Sequence, residues 1–325
     1  MPELENNSGE EKPEEEKNGQ DFNLSRKSIH DTYPLISPYA AAFLGLIGGF
    51  FLYQFVGGLL TIIVFQFDID NAPVNGLRLM TMGGQILFML LPALLFAKWI
   101  YGDVSDIISV KIPNWIELVL FSIGIIVLTP LLQSYLYVQS FIIEHLAASS
   151  TFINSFKEFF DSLNELVEKT YGNLLQANSI AELFFVVIVI AAIPALSEEV
   201  MFRGYIQRSF EFKMKPFNAA LITAAFFGLF HFNPYGLLPL IALGLYFGFA
   251  AYISKTLILP IFLHFLNNFV AVSLHYFIGE EEVISSEIVD SAGLESSILF
   301  FFILMIVFSF VIFTIKKYYT KLSTE

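Results

Sequence analysis

Eight stretches of nearly uninterrupted hydrocarbon run through this chain of 325 residues, each close to the ~20 apolar residues a helix needs to cross a bilayer. They cover about Pro38 to Phe67, Arg78 to Ile100, Trp115 to Tyr137, Ile180 to Phe210, Phe217 to Phe232, Leu237 to Ser254, Leu257 to Ile278 and Ser297 to Tyr319. The fifth is short and lies between Pro216 and Pro234. The fold they predict is all-α, a polytopic membrane bundle of about eight transmembrane helices with the lipid bilayer as its surroundings. A soluble chain of this length carries far more charge than the 14% found here beside 56% hydrophobic residues. Cysteine is absent, which excludes disulfides, thiolate metal sites and a cysteine nucleophile.

Residues 1–33 read differently. Glu3, Glu5, Glu10, Glu11, Glu14, Glu15 and Glu16 are interleaved with small polar residues, too little apolar surface to fold. This predicts a disordered acidic tail ahead of a transmembrane domain over 34–322. The tail lacks the basic start and short apolar run of a signal peptide, so the first span is expected to direct its own insertion. The net charge of −13 argues against nucleic acid as a partner. Eight spans with both ends on one side place 14 of the 17 Lys and Arg residues on that side, leaving Arg78, Lys157 and Lys169 opposite. The positive-inside rule then makes both termini cytoplasmic, and the expected location is the cell (inner) membrane.

Between Val138 and Ser179, on the outer side, Phe156, Phe159, Phe160, Leu163, Leu166 and Val167 recur at helical spacing among charged residues. That pattern predicts an amphipathic helix on the outer face or packed across the bundle, read as scaffold in preference to a substrate gate. The pairs Gly45/Gly49 and Gly244/Gly248 read as packing devices that let helices approach closely.

Charge inside a membrane span is costly and usually marks function. The fourth span ends in Ser197-Glu198-Glu199-Val200-Met201-Phe202-Arg203. Glu199 and Arg203 are four apart with the acid first, the favourable orientation for a helical ion pair. Glu198 points about 100° away and has Phe202, no cation, four residues on. It is therefore left over, suited to general acid–base work, unless it merely snorkels to the interface. His231 alone is equally a hydrogen-bonded histidine at a helix end. His264 and Asn268 fall on one face of the seventh span and offer donors to an oxyanion. Counted from the basic ends of their spans, Glu198, His231 and His264 reach similar depths.

In this order on separate spans, Glu198-Glu199-xxx-Arg203, Phe227-xxx-His231 and His264-xxx-Asn268 resemble the CAAX prenyl endopeptidase family, also called the CPBP or Abi family of intramembrane proteases. The likeness covers about 180–278. It implies an endopeptidase acting within the membrane on a membrane-associated protein or peptide. Glu198 is then the base that activates water, assisted by His231; His264 and Asn268 stabilise the oxyanion; Glu199, Arg203 and Phe227 support the site. Members are often called metalloproteases, and Glu198, His231 and His264 form a conceivable zinc set. The zincin HExxH helix is absent, so the expectation is that no metal is required. Serine (GxSG) and aspartyl (GxGD) intramembrane motifs are also missing. Two other readings compete: an ion- or proton-coupled transporter using the same polar groups, though no paired halves with broken helices are evident, and a non-catalytic immunity or partner-binding member of the family.

Overall fold

The computed structural model describes residues 34–279 and 291–322. The acidic tail and most of the acid-rich stretch after Gly279 lie outside the described residues. Among the described residues there are nine α-helices and no strand: α1 (Pro38–Val64), α2 (Val74–Tyr101), α3 (Trp115–Ser149), α4 (Thr151–Leu175), α5 (Ile180–Glu211), α6 (Pro216–Phe230), α7 (Leu237–Ser254), α8 (Ile258–Ile278) and α9 (Ser291–Leu322). All but α4 and α6 are long and apolar enough to cross a membrane. The chain is an integral membrane helical bundle, as its apolar stretches predict.

Two elements depart from the sequence reading in length. The fifth predicted span, α6, has 15 residues, a rise of about 22 Å that falls short of a ~30 Å hydrocarbon core. It stops at His231 because Phe232 turns into the left-handed region (φ 51°) and Pro234 follows. The third span continues through Gln139, Glu144 and His145 to Ser149, 35 residues in all. Its start is fixed by a capping box, in which Asn114 Oδ1 accepts from the Ile116 N–H and Glu117 Oε2 accepts from the Asn114 N–H. Ser150 caps α4 and Ser179 caps α5.

The bundle has two distinguishable ends. At one end Leu35 donates to the Ile100 carbonyl, Tyr39 to the Lys213 carbonyl, Leu257 to the Ser109 carbonyl and Tyr319 to Glu117. The N-terminal end of α1, the loops after α2, α5 and α7, and the C-terminal end of α9 therefore share this side. At the other end lies α4, tied to the α1–α2 turn by a Lys169–Asp70 ion pair of 3.0 Å. Arg78, fully buried, holds its C-terminal end: it donates to the Leu174 and Gln176 carbonyls and pairs with Glu182. These bonds satisfy carbonyls that a helix end otherwise leaves open.

Inside, one apolar core gathers Leu46, Ile100, Phe202 and Tyr205, and a second gathers Phe121, Tyr246, Leu263 and Ile315. Large apolar side chains such as Phe51, Trp99, Phe302 and Phe310 are exposed on the outside of the bundle, where lipid would cover them. The predicted glycine pairs do allow close packing: a Cβ on Gly45 would meet the Tyr205 ring at 2.7 Å, and one on Gly248 would meet Gln207 Oε1 at 2.7 Å. Gly124 is tighter still, because the Tyr246 hydroxyl crosses over it to donate to the Phe121 carbonyl at 2.8 Å. Gly124→Ala therefore displaces the Tyr246 ring, at about 1–3 kcal/mol for overpacking. A lowered melting temperature of the purified protein in detergent, partly restored by adding Tyr246→Phe, is the expected result.

Candidate active site

The polar points read from the sequence meet in one place. Glu199 and Arg203 are both fully buried, with Arg203 Nη1 donating to Glu199 Oε1 at 2.8 Å, the predicted i,i+4 pair. Arg203 Nη2 also donates to the Gly244 carbonyl at 3.1 Å. Its guanidinium carbon stands 4.5 Å from the centre of the Phe227 ring, a cation–π contact strengthened by the absence of water. Glu199 has a second partner that the sequence did not reveal: His264 Nδ1 donates to the same Oε1 at 2.8 Å. A carboxylate only accepts, so this bond places a proton on Nδ1. Phe247 stacks on the His264 ring at 5.2 Å between centroids, which fixes the imidazole plane.

With Nδ1 committed, His264 turns Nε2 toward Glu198, 4.0 Å from Glu198 Oε2. Glu198 is 8% exposed, so it does not reach out to solvent at the interface. Its Oε1 accepts from Gln85 Nε2 at 3.0 Å, while Oε2 has no hydrogen-bond partner among the described residues. Gln85 belongs to α2, is 4% exposed, and lies beside Tyr53 of α1, whose ring packs over Gly84. Sequence reasoning missed Gln85. The available signal was a lone amide in an apolar span, the same cue that exposed the glutamates.

His231 follows the last residue of α6, and its Nδ1 bonds the Phe227 carbonyl at 2.7 Å. The helix-end reading accounts for Nδ1 and leaves Nε2 uncommitted. Phe227 touches both imidazoles, with ring centroids 4.7 Å from His231 and 6.0 Å from His264. Asn268 has a structural bond as well: its Nδ2 donates to the Ile190 carbonyl at 3.1 Å. Pro194, four residues after Ile190, has no N–H to offer that carbonyl. The other N–H of Asn268 has no such commitment. Several π-type turns occur along these helices, two of them in α5 over Val187–Ala192 and Val200–Gln207, on either side of the glutamates. Such turns are frequent at functional sites.

Glu198, His231, His264 and Asn268 line one cavity of about 810 Å³. Its wall on the α4 side is polar. Lys157 pairs there with Glu144 and Asp161 at 3.1 and 2.8 Å, and Tyr235 donates to Asp161. The Asp161 hydrogen bond holds the Lys157 ammonium above the ordinary lysine value. Burial pushes the Asp161 carboxyl up, but its bonds to Lys157 and Tyr235 prevail and hold it below the usual carboxylate range.

Among the described residues no three His, Asp or Glu side chains converge to hold a metal ion. His264 and His231 each commit Nδ1, to Glu199 and to the Phe227 carbonyl, and keep Nε2. The metalloprotease label carried by the resemblance finds no support in this arrangement.

A buried carboxylate thus faces an imidazole on the wall of a partly polar cavity, in a bundle of membrane helices. Comparison adds a likeness: residues 180–270 match the family model for type II CAAX prenyl endopeptidase Rce1-like proteins. Over this segment the chain is similar to the CAAX prenyl endopeptidase, or CPBP, family. The match includes every residue of the three motifs and omits Gln85, Tyr53 and α4. No curated protein and no solved structure matches the chain significantly.

Removing Arg203 strands Glu199 in the interior, a loss of roughly 3–5 kcal/mol when one partner of a buried pair is deleted. Arg203→Ala should therefore melt well below the unaltered protein in detergent, and an unchanged unfolding temperature would refute the pairing.

Proposed function

We propose that the protein is an intramembrane endopeptidase in which Glu198 activates a water molecule for attack on a peptide carbonyl. The observation that carries this reading is the 4.0 Å gap between Glu198 Oε2 and His264 Nε2. That distance is too long for a direct hydrogen bond and suits one water held by both groups. Glu198 takes a proton as the water oxygen bonds to the carbonyl carbon, and returns it to the leaving amine as the C–N bond breaks. His231, with Nε2 uncommitted, assists at the cavity wall. His264 and the second N–H of Asn268 stabilise the oxyanion. His264 donates from Nε2 only in its doubly protonated form, whose charge then lies against Glu199. Gln85 occupies Oε1 of Glu198 and so directs the reactive work to Oε2.

The substrate is a membrane-associated protein or peptide, as the family's description suggests, and no metal is required. The protein resides in the cell membrane with both termini cytoplasmic, as its Lys/Arg distribution indicates. A transporter that relays ions through the same groups fits less well. The eight residues from Val200 to Gln207 are all buried, so α5 exposes little surface to solvent just beyond the glutamates.

Glu198→Gln should abolish cleavage while insertion and melting temperature stay unchanged. Comparison of protein termini in membranes carrying wild type or Glu198→Gln identifies the substrate as the protein that accumulates uncut. In the same assay Gln85→Leu should lower kcat by about 10- to 100-fold, the range for losing a hydrogen bond to a charged group, with KM little changed. Full activity in purified Glu198→Gln would overturn the assigned base. Dialysis against a chelator should leave cleavage intact; activity lost to the chelator and restored by zinc would show that a metal is needed.

A further inference from the structure

The cavity that holds Glu198 extends from the site toward one side of the membrane. Its floor is formed by Phe247 and His264, which lie seven and six residues from the helix ends at Ser254 and Ile258, about 10 Å in at the helical rise. Its upper wall includes Ser140 and Glu144, 25 and 29 residues beyond the start of α3 at Trp115, or roughly 40 Å from that same end. The cavity therefore runs from the site toward α4 and away from the end where both described termini lie.

Beneath the site the bundle is packed shut. Arg203 is fully buried. Gly248 admits Gln207 so closely that a Cβ would sit 2.7 Å from its Oε1, and one on Gly244 would sit 3.0 Å from the Ala224 Cβ. Leaving aside the buried Arg203 and Arg78, nine Lys and Arg residues of the described chain (Lys98, Lys111, Arg208, Lys213, Lys215, Lys255, Lys316, Lys317 and Lys321) lie toward the sealed end. Two, Lys157 and Lys169, lie on α4. The positive-inside rule makes the sealed end cytoplasmic.

The geometry points to a substrate presented from the non-cytoplasmic side: an exported protein or peptide, or the external segment of a membrane protein, entering past α4 as an extended polar chain. A lipidated tail lying in the cytoplasm would face the sealed end. This inference rests on the protease reading for the identity of the substrate, but the side of access does not depend on it.

The natural absence of cysteine allows a direct test. Ser140→Cys, Asn164→Cys and Lys213→Cys are introduced singly, and spheroplasts are treated with a charged, membrane-impermeant methanethiosulfonate reagent. The residues at 140 and 164 should react without lysis, and the one at 213 only after lysis. The reverse pattern, or failure of both cavity positions to react, overturns the assignment. A second arm maps the new termini that depend on Glu198. Termini in external segments support the proposal, and termini at cytoplasmic tails overturn it. If no Glu198-dependent terminus is found while labelling follows the expected pattern, the protease reading fails and the outward opening of the cavity stands.

Discussion

The centre of this structure is one oxygen atom. Glu199 Oε1 accepts from Arg203 and from His264, and through those two bonds it joins α5 to α8. Arg203 extends the connection to α7 through the Gly244 carbonyl and to α6 through the Phe227 ring. A buried ion pair is weak support for stability on its own, since desolvating each charge costs several kcal/mol and apolar replacements are often equally stable. This pair is also imperfectly satisfied: Glu199 Oε2 and Arg203 Nε have no hydrogen-bond partner among the described residues. What it supplies is direction. With Nδ1 fixed on Glu199 and the ring stacked on Phe247, His264 is left with one orientation, Nε2 toward Glu198. The two adjacent glutamates thus divide the work, one orienting the imidazole and the other facing it.

Much of this was legible because membrane spans make polar residues conspicuous. Glu199 and Arg203 announced their pairing through a four-residue spacing, and that spacing also implied that Glu198 pointed elsewhere. His264 and Asn268 stood out on one face of an apolar helix. What was not legible depended on contacts between distant segments. Gln85 is 113 residues from Glu198, and no local pattern links them. Asn268 drew notice, but its bond to the Ile190 carbonyl, which Pro194 leaves without an N–H, shows only when α5 and α8 lie side by side. Glu144, His145 and their neighbours made the end of α3 look like a loop, because a helix projecting beyond the hydrocarbon loses the apolar signature that marks a span. The short α6 read as a span for the opposite reason: its composition is apolar throughout, and only its length, fixed by the turn at Phe232, keeps it from crossing alone.

The proposed hydrolysis inside a membrane would need water where lipid excludes it. α4 reverses the usual sense of an amphipathic helix. In a soluble protein the apolar face turns inward. Here Lys157, Asp161, Asn164 and Glu168 line the cavity, while Phe152, Phe156, Phe159 and Leu166 are exposed on the outside. The apolar face suits lipid and the polar face suits a hydrated interior, so one helix serves as a partition between them. Its ion pairs with Glu144 and Asp70 and its anchoring by Arg78 hold that partition against the bundle. The same logic explains the closure below the site. A cavity wet at both ends would join the two sides of the membrane, whereas below Glu198 this bundle is packed by buried Arg203 and Gln207 and by close glycine contacts.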